Sequence, residues 1–123
     1  MSGGSLDARS VAKLQGVHPD LVKIVFEAFN LSPVPFVVTD GFRSAERQAY
    51  LFATGKSRTL LSKHIEGKAV DVAAIVAGRV NWDFVNYEPI AAAFKDAASR
   101  LRLSIVWGGD WPKFRDGCHF QLA

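Results

Sequence analysis

Two short segments of the sequence contain the residue types that best hold a metal ion. The first segment contains His64 and Asp71. Zinc favours imidazole nitrogen and carboxylate oxygen, and a catalytic zinc site combines three protein ligands with one open position for water. On a strand, Asp71 shares a face with Ala69 and Ala73, whose small side chains leave room for a metal and a substrate. Gly67 permits a bend that brings His64 back toward Asp71.

The second segment lies near the C-terminus and supplies a third candidate ligand, His119. This segment decides the interpretation, because a lone His–Asp pair is more often structural than metal-binding. Strand alternation places His119 and Gln121 on one face, and Cys118 and Phe120 on the other. We therefore expect His119 to point into a cleft while Cys118 packs inside, as lone cysteines usually do. Asp116, in the turn before this strand, is placed to act as a general base on a metal-activated water.

Length and composition restrict the class of protein. The 123 residues, 49% hydrophobic and 22% charged, predict a single globular domain over 1–123. The one cysteine, Cys118, excludes an intramolecular disulfide and a four-cysteine zinc site. The net charge of +3 is scattered, which suits an anionic surface and does not indicate nucleic-acid binding. With no signal-peptide pattern and no apolar run of membrane-spanning length, we expect a monomer made in the cytoplasm.

Apolar periodicity and turn residues predict an α+β domain, with helices packed on a small antiparallel sheet. Ser44 is a good helix N-cap and Gly55 a good stop, and Gly78-Arg79 is predicted as a turn. The inner face of the last helix is predicted to extend to Leu101. Helices are expected at 6–15 and 19–29, from Ser44 to before Gly55, and from about Asn86 onward. Strands are expected at 36–39, 68–76, 102–107 and 118–122, and a loop at 56–61.

The two candidate segments together resemble a known family. The pattern Ser-x-His-x-x-Gly-x-Ala-x-Asp over 62–71, followed by acid-x-x-His at 116–119, is similar to that of the zinc peptidases that include D-Ala-D-Ala carboxypeptidases and dipeptidases. Within that family it most resembles the L-alanyl-D-glutamate endopeptidases that bacteriophages use as endolysins. Gly-Phe-Arg-Ser at 41–44 and Trp-Gly-Gly-Asp-Trp at 107–111 fit the same branch, so the likeness covers nearly the whole chain.

The resemblance implies a role for each matched position and a zinc site in a cleft on the sheet, as in hedgehog and D-Ala-D-Ala peptidase-like folds. The implied ligands of one Zn²⁺ ion are His64, Asp71 and His119. Asp116 matches the catalytic acid/base, which is Glu in many relatives. Arg43 matches an arginine that steadies the polarised carbonyl or a substrate carboxylate, and Ser62 and Gln48 are implied to hydrogen-bond the peptide.

The resemblance also implies a substrate and a partner. The substrate is the peptidoglycan stem peptide, cut between L-Ala and D-Glu, and a holin-type partner would permeabilise the membrane to release the enzyme to the cell wall. Two alternatives stay open from the sequence. One is a D-Ala-D-Ala carboxypeptidase or dipeptidase, and the other is a catalytically inactive, zinc-containing domain that binds the wall.

Simpler roles also fit some of these residues. Arg43 can serve only as the partner of a surface acid, and Glu66 as a solvated loop charge. Asp110 can shape its loop. The three tryptophans, Trp82, Trp107 and Trp111, suit the core at least as well as a substrate groove.

Overall fold

The computed structural model describes residues 5–57 and 62–123, and all elements named here lie in those ranges. The α-helices are α1 (Ala8–Lys13), α2 (Pro19–Leu31), α3 (Ala45–Ala53) and α4 (Tyr87–Arg100). The strands are β1 (Phe36–Asp40), β2 (Ala69–Val76), β3 (Arg79–Asn81), β4 (Ile105–Trp107) and β5 (His119–Leu122). Short 3₁₀ turns at Phe84–Asn86 and Gly108–Asp110 precede α4 and follow β4.

The strands form one antiparallel sheet in the order β1-β2-β5-β4, with β3 also paired to β2. Helices α2 and α4 pack against each other, and their apolar faces share one core with Val70, Val72 and Ala74 of β2. Asp71 lies between Val70 and Val72 and therefore projects from the opposite face of the sheet. The predicted α+β architecture and the predicted facing of β2 are both confirmed.

Local sequence signals explain where the helices begin. Ser44 accepts a hydrogen bond from the backbone N–H of Arg47 and caps α3, as predicted. His18 caps α2 in the same way, because its Nδ1 accepts from the backbone N–H of Asp20 at 3.1 Å. Leu21, Ile24, Val25 and Ala28 of α2 are fully buried, so α2 is fixed by a cap at its N-terminus and by burial of one face.

Several boundaries differ from the sequence prediction by one or two residues, and three differences have an identifiable physical reason. Leu101 is 37% exposed and not part of the inner face, because α4 ends at Arg100 and Leu101 is its C-cap. Strand β4 begins only at Ile105, since Arg102 adopts a left-handed conformation with φ of 60° that an extended strand excludes. Arg79 is the first residue of β3 and not part of a turn. Three residues are too few to show the alternation of polar and apolar residues by which a strand is predicted, so β3 was not predicted from the sequence.

Part of the predicted loop at 56–61 can be compared with the structure. Lys56 and Ser57 follow α3 without regular secondary structure, as expected, and 58–61 lie outside the described residues. In the described ranges, no helix has the length and apolar character needed to cross a bilayer.

Tyr87 joins α4 to the edge of the sheet through its hydroxyl group. The hydroxyl accepts a hydrogen bond from the backbone N–H of Ala74 at 3.0 Å and donates one to the carbonyl of Asn81 at 2.9 Å. Tyr87 is only 2% exposed, and burial raises the pKa of its hydroxyl. The hydroxyl therefore stays protonated and satisfies two backbone groups of the β2–β3 hairpin.

Removing this hydroxyl is expected to destabilise the fold. Tyr87→Phe should lower the free energy of unfolding by about 1–3 kcal/mol, because a buried backbone N–H loses its acceptor. Urea denaturation measures the change. Tyr50→Phe is the matched control, since Tyr50 is 54% exposed and should unfold like the wild type. Equal stability of the two variants would contradict the role assigned to the Tyr87 hydroxyl.

Candidate active site

The antiparallel pairing of β2 and β5 places Asp71 directly opposite His119. His119 Nδ1 lies 3.2 Å from Asp71 Oδ1, and His64 Nε2 lies 3.3 Å from Asp71 Oδ2. The two imidazole rings meet edge to face at 5.3 Å. The three predicted metal ligands therefore converge, with both histidines buried and Asp71 partly open to solvent.

A tight turn before β2 holds His64 in place. Gly67 ends this turn with φ of 70°, and a Cβ atom there would overlap the carbonyl oxygen of Gly16. The backbone N–H of Arg43 donates to the His64 carbonyl at 2.9 Å. His64 Nδ1 donates to the carbonyl of Gly41 at 2.7 Å, because a carbonyl can only accept. In the neutral ring, Nε2 therefore carries the lone pair that faces Asp71 and is available to a metal.

The ring of His119 is oriented by a neighbour on its own strand. His119 Nε2 lies 2.9 Å from Gln121 Oε1, two residues along the same face of β5. If Nε2 donates to this oxygen, Nδ1 is left with a lone pair directed at Asp71. Fixing a metal-binding tautomer through the second ring nitrogen is usual in metal sites.

The charges of the site are coupled. Burial opposes ionisation of Asp71, but His119 and His64, when they carry a proton on the nitrogen that faces Asp71, donate hydrogen bonds that outweigh it and hold the pKa of Asp71 below its usual range. Burial also opposes protonation of His119, yet its hydrogen bond with Asp71 and the charge of that carboxylate raise the pKa of His119. The pocket thus keeps a carboxylate ionised and favours a positive charge beside it.

The spacing of these atoms fits a tetrahedral metal. Ligand atoms 2.0–2.1 Å from a tetrahedral zinc ion are separated by about 3.3–3.4 Å. The two histidine-to-carboxylate distances, 3.2 and 3.3 Å, are close to that separation, and ligand atoms of all three residues lie within 4.8 Å of one another. The donor set of two imidazoles and one carboxylate therefore suits a divalent metal that has a preference for nitrogen.

Asp116 lies beside the ligands. One carboxylate oxygen of Asp116 is within 4.8 Å of Asp71 and of the Cys118 sulfur. Burial, with the charges of Asp71 and Asp116, raises the pKa of Cys118, which therefore stays a thiol when no metal is bound. Its Sγ–H donates to Asp116 Oδ1 at 3.1 Å while the residue packs against the core, as predicted from the sequence.

The Trp-Gly-Gly segment positions Asp116. The backbone N–H of Asp116 donates to the carbonyl of Gly108 at 3.0 Å. A Cβ atom at Gly108 would overlap the carbonyl oxygen of Asp116, so the two backbone segments can approach this closely only with glycine at 108. Trp107 is buried and its Nε1 donates to the carbonyl of Gly117 at 2.7 Å. This segment is therefore a structural support for the loop that carries Asp116.

Arg43 follows β1, which pairs with β2, and its side chain lies near the ligands. A bulge in β1 between Val38 and Asp40 places Asp40 opposite Asp71. Arg43 Nη2 forms an ion pair with Asp40 and lies 3.8 Å from Asp71 Oδ2. The Arg43 side chain is only 11% exposed, so it does more than pair with a surface acid.

Gln48 does not lie where a substrate-binding residue would. It is fully buried, its Oε1 accepts from Arg43 Nη1 at 2.6 Å, and its Nε2 donates to Ser57 Oγ at 2.8 Å. The sequence-based prediction of direct contact with a peptide therefore needs correction, and Gln48 holds Arg43 from behind. Ser62 does line the cleft, and its Oγ accepts from the backbone N–H of His64 at 3.2 Å.

The three predicted ligands, Asp116, Arg43 and Ser62 all line one cleft of about 720 Å³. Trp111 also lines it, 5.2 Å from the His119 ring. Several lining residues carried no motif in the sequence, since only folding brings them together. These are Asp40, Arg47, Leu51, Lys56, Lys63 and Phe114.

Other candidates lie outside the cleft. Trp82 is 61% exposed and stacks on Tyr87. Asp110 pairs with Lys95 at 2.7 Å, and the exposed Glu66 lies between Lys63 and Lys68. Asp110 and Glu66 are therefore consistent with the simpler roles considered from the sequence, Asp110 in shaping its loop and Glu66 as a solvated charge.

The fold and the site together define a class of protein. A His–Asp–His donor set in a cleft on an antiparallel sheet, with a separate carboxylate and an arginine beside it, is the arrangement of a mononuclear metal-dependent hydrolase.

Comparison with known proteins identifies the family within that class. The model of the phage L-alanyl-D-glutamate peptidase family matches residues 3–120. The chain is 33% identical over 106 residues to the L-alanyl-D-glutamate peptidase of Escherichia phage T5, covering 83% of this chain and 77% of that protein. It is 29% identical over 103 residues to the Bacillus subtilis peptidoglycan L-alanyl-D-glutamate endopeptidase CwlK, covering 72% of this chain and 61% of that one. The chain therefore belongs to the phage L-alanyl-D-glutamate peptidase family.

Solved structures agree with this assignment. The L-Ala D-Glu endopeptidase ChiX of Serratia marcescens superposes with a TM-score of 0.89 at 46% identity, covering 94% of this chain and 87% of ChiX. The vancomycin resistance D,D-pentapeptidase VanY, solved with Zn(II), shares the fold at a TM-score of 0.54 and 18% identity, covering 99% and 75% of the two chains. The resemblance inferred from the sequence motifs is confirmed.

The donor set predicts which histidines bind metal. His64→Ala and His119→Ala should each lose most of the divalent metal that the wild type carries, because two ligands remain from a set of three. Metal content is measured by inductively coupled plasma mass spectrometry after dialysis. His18→Ala is the matched control, since His18 caps α2 outside the cleft, and it should keep wild-type metal content. Metal retained by both ligand variants would refute the site.

Proposed function

We propose that the chain is a zinc endopeptidase that hydrolyses the bond between L-Ala and D-Glu in peptidoglycan stem peptides. The observation that carries this proposal is the convergence of His64, Asp71 and His119, with Asp116 beside them, in the cleft of a chain of this family. The relatives named above for the same cleavage support the choice of bond.

His64 Nε2, His119 Nδ1 and the Asp71 carboxylate would hold one zinc ion. When bound, zinc supplies Lewis acidity, which polarises a peptide carbonyl and lowers the pKa of water. The chain's own contribution is to fix the ligands. Gly41 and Gln121 orient the two imidazoles, and the Asp71 carboxylate is kept ionised for the metal.

Asp116 is assigned as the general acid/base. Its carboxylate is near the ligands yet outside the set of three, which suits a group that takes a proton from the attacking water and passes it to the leaving amine. The Cys118 thiol donates a hydrogen bond to one oxygen of the Asp116 carboxylate. The rest of the carboxylate is then available to the cleft, which Asp116 lines.

Arg43 is assigned to the negative charge that develops on the scissile carbonyl. Asp40 and Gln48 hold its guanidinium group from two directions, so the cation is positioned before substrate binds. Ser62 is retained as a hydrogen-bond partner of the peptide at the cleft wall. Gln48 acts through Arg43 and not on substrate.

The phage relatives support a role as an endolysin. In this role the enzyme accumulates as a monomer in the host cytoplasm and reaches the wall when a holin-type partner permeabilises the membrane. Both alternatives from the sequence are disfavoured. The D,D-pentapeptidase shares only the fold, and an inactive wall-binding domain has no need of Asp116 and Arg43 beside an intact donor set.

The identity of the new termini tests the bond assignment. Purified protein incubated with peptidoglycan should release fragments with a free D-Glu amino group, detected by dinitrophenylation and mass spectrometry. No free D-Ala should accumulate, because a carboxypeptidase cuts at the other end of the stem. Release of D-Ala without new D-Glu termini would support the D,D-peptidase alternative instead.

Substitution of Asp116 separates the base from the metal ligands. Asp116→Asn should keep the fold and the zinc content but lower kcat by roughly 10²–10⁴, the usual loss for a general acid–base. Asp110→Asn is the matched control, because Asp110 pairs with Lys95 outside the cleft, and its kcat should be unchanged.

Two results would overturn the assignment of Asp116. If Asp116→Asn loses zinc as His119→Ala does, Asp116 is a ligand. If it keeps both zinc and wild-type turnover, the base lies elsewhere. Asp116→Glu should retain substantial activity, since it keeps a carboxylate at this position and adds only one methylene.

A further inference from the structure

One wall of the cleft carries cationic side chains that the metal chemistry does not use. Arg47 lies in the first turn of α3, and Lys56 follows the C-terminal end of that helix. Both line the same cleft as the ligands. Their backbones are anchored, because the N–H of Arg47 donates to Ser44 Oγ at 3.1 Å and that of Lys56 donates to the Leu51 carbonyl at 2.8 Å.

These two cations have no acidic partner. In residues 5–57 and 62–123, neither Arg47 nor Lys56 forms an ion pair. The guanidinium of Arg47 lies 5.8 Å from the centre of the Tyr50 ring. The other cations on this wall are engaged, Arg43 with Asp40 and Lys63 at 3.8 Å from Glu66.

The acids of the cleft do not neutralise this wall. The lining carboxylates are Asp40, Asp71 and Asp116. Asp40 pairs with Arg43, and Asp71 belongs to the donor set. Asp116 accepts from the Cys118 thiol beside that set. Arg47 and Lys56, both exposed, are therefore uncompensated positive charges in the lining of the cleft, and such charges attract an anionic ligand.

Two aromatic side chains, Trp111 and Phe114, line the same cleft, and Phe114 is 65% exposed with a left-handed φ of 54°. Such a conformation is costly for a bulky residue and is typical of functional sites. A peptide in the cleft would thus meet aromatic and cationic side chains as well as the donor set.

The proposed substrate carries an anionic group next to the scissile bond. This step rests on the proposed function. A D-Glu residue that continues the stem through its side-chain carboxyl keeps its α-carboxylate free, on the same carbon that bears the nitrogen of the scissile bond. We propose that Arg47 and Lys56 form a subsite for this α-carboxylate, and that the enzyme therefore prefers stem peptides with D-Glu over those in which the group is a carboxamide.

Two synthetic peptides that differ by one carboxylate test the subsite. One is N-acetyl-L-Ala-γ-D-Glu-L-Lys-amide, and the other carries the α-carboxamide of D-Glu. The wild type should cleave the first with a higher kcat/KM, by roughly tenfold or more for a charge-assisted contact. In the double variant Arg47→Gln/Lys56→Gln, the ratio of kcat/KM for the acidic peptide to that for the amidated peptide should fall toward one. The fall should come from a higher KM for the acidic peptide, while the amidated peptide is cleaved as by the wild type.

The controls separate this proposal from the proposed function. Arg79→Gln removes a cation from the exposed strand β3, outside the cleft, and should keep the wild-type preference. Equal cleavage of both peptides by the wild type would overturn the subsite while leaving the endopeptidase intact. An equal loss on both peptides in the double variant would also overturn it, because it indicates a general role. Failure to cleave the L-Ala–D-Glu bond in either peptide and in peptidoglycan would instead overturn the proposed function.

Discussion

The contact between Asp71 and His119 across β2 and β5 is the constraint on which the rest of the molecule depends. It requires these residues to be paired in the antiparallel register, and a slip of one position would turn Asp71 into the apolar core beside Val70. Burial of the residues flanking Asp71 under α2 and α4 therefore does more than stabilise the sheet. It fixes the side of the sheet on which the donor set forms.

Keeping a carboxylate ionised in this position has an energetic cost that the surroundings offset. Burial disfavours the charged form of Asp71, and the two imidazoles favour it enough to keep the pKa of Asp71 below its usual range. The imidazoles are oriented in turn by the Gly41 carbonyl and by Gln121. A donor set arranged in this way needs little rearrangement when a metal binds, and the Arg43 cation 3.8 Å from Asp71 further favours the charged carboxylate.

The sequence predicted what local pattern determines and missed what packing determines. Strand alternation and the spacing of His64, Asp71 and His119 were sufficient for the fold class and the donor set. The burial of Gln48 was not predictable, because nothing in the sequence of this helix distinguishes a buried glutamine from an exposed one. Asp40 was missed because its place opposite Asp71 depends on a bulge, which is set by pairing between strands and not by its own sequence.

The site divides into a rigid part and a variable part. The metal ligands lie on paired strands or in a turn closed by glycine, where a shift would break backbone hydrogen bonds or overlap atoms. The cationic and aromatic side chains of the cleft instead lie at the ends of α3 and on the segment after β4, where the chain tolerates changes in length and sequence. A fold shared with a D,D-pentapeptidase at 18% identity fits this division, since one sheet can support different walls. In this molecule the sheet and the turn before β2 therefore fix the donor set, and the rest of the cleft lining lies on less constrained segments.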